Sequence, residues 1–197
     1  MPKVIALLCS DLHIGTCPVA RSAELDWFLA MRRGIDELKA LQLEYGGVPI
    51  VVAGDVFDRW GTNPEIINWA IDHLPQMFSI PGQHDLPNHQ LSAMDRSAYA
   101  TLVRAGVLID LKPNLPVQCG SVVMVGFPWG TEVVPYTGVK EKGCVYLAVV
   151  HHYLYVNAND AYVGISADSS LGAFRSKLKG FDAAVFGDNH KSWVRSQ

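Results

Sequence analysis

With 197 residues, 49% of them hydrophobic, the chain has enough material for one α/β domain with a full core and no room for a second of ordinary size. A formal net charge of −3 at pH 7 lacks the basicity of a dedicated nucleic-acid-binding module, although bound metal cations would add positive charge of their own. The four cysteines, Cys9, Cys17, Cys119 and Cys144, form no CxxC pair or zinc-finger spacing, and no apolar run approaches the ~18 residues that cross a bilayer, so free buried thiols in a cytoplasmic protein without membrane contact are expected.

The first apolar run, 3–9, reads as a strand and stops at Asp11-x-His13. A long helical pattern follows, with Leu25, Phe28, Met31, Ile35, Leu38 and Leu41 three or four residues apart. Ser22 is its candidate N-cap, Glu24 and Asp26 suit the first turn, and Gly46-Gly47 stops it. The next run, 49–53, ends in Gly54-Asp55-x-x-Asp58-Arg59, and a helix over 64–74 starts with Pro64. Residues 77–80 form a third run, closed by Gly82-Gln83-His84-Asp85, and 90–105 a further helix. Runs at 121–127, 145–150 and 182–186 complete the strands; the last two end in His151-His152 and Gly187-Asp188-x-His190. Residues 170–179 are helical, while 128–143 and 153–169, rich in Gly, Pro, Asn and Asp, are loops.

Several of these runs are continuous rather than alternating, as strands covered on both faces are. Strand–helix alternation predicts an α/β fold with mixed sheets sandwiched by helices. Ligands in such folds bind beyond the carboxyl ends of strands. The Asp and His groups sit at those ends, so they are expected to converge.

A single strand-end histidine is ordinarily structural, and a single Gly-Asp is turn chemistry. Five such groups in one domain point instead to a shared site. Carboxylates and imidazoles without thiolates suit borderline-to-hard divalent ions such as Mn²⁺, Fe²⁺ or Zn²⁺, and so many acids cannot cluster without a cation.

Taken in order from Asp11 to His190, these motifs resemble those of the calcineurin-like metallophosphoesterases: D-x-H, G-D-x-x-D, G-N-H-[DE], H and G-H-x-H. Within that superfamily, "GDVFDRW" (54–60) and "IPGQHDLPNHQ" (80–90) are most similar to the DNA-repair exonuclease branch of SbcD type and its phage relatives. The resemblance implies a four-layer αββα domain over 1–197, here without a capping domain. It implies that Asp11, His13 and His190 hold one metal, that Asp55 bridges, and that Gln83, His151 and Asp188 complete a second. His84 would be the general acid, oriented by Asp58, with Arg59 contacting phosphate. His152 and His89 are more simply structural. The implied cofactor is a pair of divalent ions, Mn²⁺ foremost, with Mg²⁺, Fe²⁺ or Zn²⁺ as alternatives. The implied partner is a DNA substrate, for which Arg32, Arg33, Arg59, Lys177 and Lys191 are available, and the further partners are a second copy of the chain or an ATPase subunit.

Two positions depart from the family pattern. Gln83 replaces the usual Asn, and Asp188 replaces the first His of the last motif. Both fall on the second metal, where an extra carboxylate favours a hard cation and makes it a poorer Lewis acid. The leading expectation is a DNA-hydrolysing phosphodiesterase. A phosphatase or phosphodiesterase for a nucleotide or phosphoprotein is the alternative, and a scaffold with a degenerate second site is the reading from outside enzymology.

Overall fold

The computed structural model describes residues 3–16, 26–157, 159, 161–191 and 194. Two four-stranded sheets lie face to face. In the first, β1 (Leu7–Cys9), β2 (Ile50–Val52), β3 (Met77–Ser79) and β4 (Leu108–Asp110) run parallel in that order. In the second, β5 (Val117–Cys119) pairs antiparallel with β6 (Val122–Phe127), which continues parallel to β7 (Val145–His151) and β8 (Ala183–Gly187).

The continuous apolar runs are explained by which core each residue enters. On β2, Ile50 and Val52 pack outward against the helices, while Val51 joins Ile80, Leu111, Met124, Leu147 and Val149 between the sheets. On β7 the alternate residues Ala148 and Val150 enter a third cluster with Phe174 and Leu178. A strand buried on both faces has no polar side to show. Helices α1 (Trp27–Glu44), α2 (Pro64–His73) and α3 (Ala98–Arg104) supply the first outer layer. The short α4 (Leu171–Phe174) and the 3₁₀ turn Arg175–Leu178 cover the other side. This is the predicted helix–sheet–sheet–helix arrangement.

The elements differ from expectation in five places. β4 and β5 were not predicted. Each has only three residues, and β5 presents Gln118 to solvent, so neither carries a long apolar signature. The helix expected over 90–105 is instead a 3₁₀ stretch, Leu91–Arg96, followed by α3, because Ser97 breaks the run and caps a new start through its Oγ, which accepts the Ala100 N–H. The helix expected over 170–179 is likewise α4 and a 3₁₀ turn. Asp26, expected in the first turn of α1, is its N-cap, with Oδ1 accepting the Leu29 N–H at 3.0 Å. The expectations for Cys17, Ser22, Glu24 and Leu25 lie outside the described residues. Cys9, Cys119 and Cys144 are free and half-buried rather than fully buried. Among the described residues no helix is long and apolar enough to cross a membrane.

Candidate metal centre

All the strand-end motifs open on one edge of the sandwich. The segments after β1 and β2 run side by side, with Asp11 N–H donating to the Gly54 carbonyl at 3.0 Å and His13 N–H to the Asp55 carbonyl at 3.1 Å. Turning these side chains inward forces unusual backbone. Asp11 (φ 54°), His13 (φ 44°), Asp55 (φ 50°) and Asp188 (φ 86°) all occupy the left-handed region that side chains other than glycine seldom adopt. Two glycines make the convergence sterically possible. A Cβ on Gly54 would overlap the His151 ring, and one on Gly82 would overlap the Asp55 carboxylate.

Asp55 lies at the middle and is fully buried. Its Oδ1 accepts the His84 backbone N–H at 2.9 Å. Its Oδ2 accepts no aligned hydrogen bond, although His151 Nε2 is 3.3 Å away and His13 Nε2 4.0 Å away. His151 Nδ1 donates to the Ala53 carbonyl at 2.6 Å, so in the neutral ring Nε2 carries a lone pair. That nitrogen also stands 2.6 Å from Gln83 Oε1. The Gln83 amide is oriented by its other end, where Nε2 donates to Asp188 Oδ1 at 2.7 Å. Asp188 N–H in turn donates to Asp11 Oδ1 at 3.0 Å. On the outer side, His190 Nε2 approaches His13 Nε2 at 3.3 Å and Asp11 Oδ1 at 3.8 Å.

Burial by itself would lower the His151 pKa, but the Asp55 contact and charge and the Ala53 carbonyl hold it up at about 9. For Asp55 burial pushes the other way, and the His151 contact with the His84 N–H brings the carboxyl below its ordinary range. His13 is pushed down, first by burial, against the pull of Asp55. In metal-free protein the one proton on His151 Nε2 has to serve two acceptors, Asp55 Oδ2 and Gln83 Oε1. His151 Nε2, Asp55 Oδ2 and Gln83 Oε1 face one another, and the buried His13 Nδ1 also has no hydrogen-bond partner. Such a donor set fits a divalent cation. The triads Asp11–His13–His190 and Asp11–Asp55–His151 each bring one ligand atom per residue within 4.8 Å of the others, as does His13–Asp58–His84.

The remaining candidates surround this cluster. His84 is exposed, its ring edge-on to His13 with centroids 5.1 Å apart, and its Nδ1 lies 3.0 Å from the Asp58 carbonyl. It is thus the backbone of Asp58 that holds His84, while the Asp58 carboxylate lies 3.9 Å from His13 Nδ1. Arg59 projects into solvent, with Nε 3.6 Å from Asp58 Oδ2. His89 Nδ1 bonds the Gln83 carbonyl at 3.0 Å, whereas His152 turns away to Ser169 Oγ at 3.1 Å and packs on Phe174.

One residue had no role in the sequence reading. Asp85 is fully buried, and its carboxyl oxygens accept N–H groups of Val56 (3.1 Å), Phe57 (2.9 Å) and Gly82 (3.0 Å). It fastens the loop after β2 to the loop after β3. Burial pushes its pKa up to about 7 against these donors. Its place at the end of Gly82-Gln83-His84-Asp85 was the available signal, but an acid that binds only backbone looks in sequence like another ligand.

A family model described as calcineurin-like phosphoesterase matches residues 6–192. No curated protein matches the chain.

Proposed function

The chain belongs to the calcineurin-like phosphoesterase family, and on that footing we propose that it hydrolyses phosphodiester bonds in DNA. The family itself carries metal-dependent phosphoester hydrolysis. The observation that carries the reading for this chain is the proton-poor cluster of His151 Nε2, Gln83 Oε1 and Asp55 Oδ2. Asp11, His13 and His190 would hold one divalent ion and Gln83, His151 and Asp188 a second, with Asp55 between them. Oxygen and imidazole donors without thiolate favour Mn²⁺. Bound there, such ions neutralise phosphoryl charge and activate water. His84 is the group that would serve the departing oxygen: its Nδ1–H is held by the Asp58 carbonyl, so the doubly protonated ring has its Nε2–H to give. Its exposure allows a substrate to reach it.

What supports DNA is the likeness of "GDVFDRW" and "IPGQHDLPNHQ" to repair exonucleases, together with the exposed indole of Trp60, 43% accessible and next in sequence to Arg59, as a surface for a base. The second reading, a phosphomonoesterase, is favoured by Arg59, whose solvent-facing guanidinium suits a terminal phosphate. A Mn²⁺-supplemented assay comparing single-stranded DNA, duplex DNA, a phosphomonoester and a cyclic nucleotide separates them. Cleavage of DNA is expected. Rapid phosphomonoester hydrolysis with intact DNA would replace the first reading with the second.

A further inference from the structure

Beside the metal centre stands an aromatic side chain that belongs to none of the ligand motifs, Trp129. β6 runs parallel to β7, with Phe127 paired to Val150, so the chain leaving β6 emerges where β7 delivers His151. There the indole meets the buried His151 ring at 67°, with centroids 6.4 Å apart.

The residue is held firmly. Its backbone N–H donates to the Pro81 carbonyl at 3.1 Å, which ties it to the segment carrying Gln83. A tight turn fixes it from the other side. The Pro128 carbonyl accepts the Thr131 N–H at 3.1 Å and the Thr131 Oγ–H at 2.7 Å, and Gly130 takes φ 79° at the third position. The indole itself is half-buried. Among the described residues no ring other than His151 packs on it, and no group accepts its N–H. An aliphatic side chain would serve to seal His151 from water. A rigidly held indole with part of its surface open offers more, a π-face next to a site suited to a phosphoryl group.

We propose that Trp129 stacks on the base next to the scissile phosphate, on the Gln83–His151 side of the centre, and so selects substrates that carry a nucleobase. This rests on the reading of the protein as a nuclease. Every base has a π-face, so the contact brings affinity without sequence preference. The stack forms on binding and does not change as the phosphoester bond breaks. It therefore lowers KM and leaves kcat to the metal centre and His84.

The test measures kcat and KM of the full, Mn²⁺-loaded chain on a single-stranded oligothymidylate and on an oligomer of the same length built from base-free tetrahydrofuran sites. Wild-type KM should be lower for the oligothymidylate by about 5–150-fold, the range of one base–aromatic stack. Trp129→Ala should erase this preference through KM, with metal content by elemental analysis unchanged. Trp129→Leu keeps an apolar cover on His151 and should erase it equally, so the experiment stays readable if the alanine variant does not fold. Trp129→Phe should restore part of the preference. Equal wild-type KM for the two oligomers, or a preference that survives in Trp129→Leu, overturns the stack and leaves the nuclease reading standing. Wild-type protein that cleaves neither oligomer overturns both.

Discussion

His151 and Asp55 meet in the interior with Nε2 3.3 Å from Oδ2, both side chains sealed from solvent. In metal-free protein a proton shared at this contact holds the His151 pKa near 9, above the ordinary 6.5. Its contribution to stability is fully present below pH 6.5 and is lost as pH rises through 9. A divalent ion must displace that proton. Metal uptake should therefore release a proton and weaken about tenfold per pH unit below 9. Titration calorimetry in buffers of different ionisation enthalpy measures the release; uptake without it would refute the assignment of His151.

Asp55 touches more of the centre than any other acid: His84 N–H through Oδ1, His151 and His13 through Oδ2. Asp55→Asn keeps the shape and removes the anion. It should lose more bound metal than any other single ligand change, read by elemental analysis of purified protein.

His84→Ala should lower turnover by about 10²–10⁴ with metal content intact. Because His84 rests on the carbonyl of Asp58, Asp58→Asn leaves that contact in place and should reduce turnover less. A larger loss in Asp58→Asn would mean that the carboxylate, through His13, is the more important of the two.

Asp85→Ala strands three buried N–H groups at once. Denaturant unfolding should show a loss of roughly 3 kcal/mol or more. Asp85→Asn, which keeps one acceptor oxygen, should fall between.

Asp188→Ala removes the acceptor that orients the Gln83 amide. The second ion should then bind more weakly, whereas Asp188→His should retain it and tolerate Zn²⁺ better. Full second-site occupancy in Asp188→Ala would remove Asp188 from the ligand set.

The parts of the molecule legible in sequence are those whose environment is uniform along the chain. Residues 49–53 and 145–150 are apolar throughout because both faces of β2 and β7 are covered, so their strand character and the acids at their ends could be read directly. β4 gave no such signal, since three residues following a helix are too few to establish a period. The Asp and His motifs marked where a site should lie. Contacts that depend on the meeting of distant loops were hidden: the clamp of Asp85 on Val56 and Phe57, and the Asp58 carbonyl beneath His84. A sequence names a side chain, but it does not say whether the backbone of that residue does the holding.

The left-handed backbone at Asp11, His13, Asp55 and Asp188 sets local stability against activity. Each such residue carries strain on the order of 1 kcal/mol that glycine would relieve. Random variation screened for heat resistance alone should drift toward glycine at these four positions, and each such change would erase a side chain proposed above as a metal ligand. Their retention thus requires selection on the chemistry, and a lineage released from that selection should lose these residues before it loses the fold.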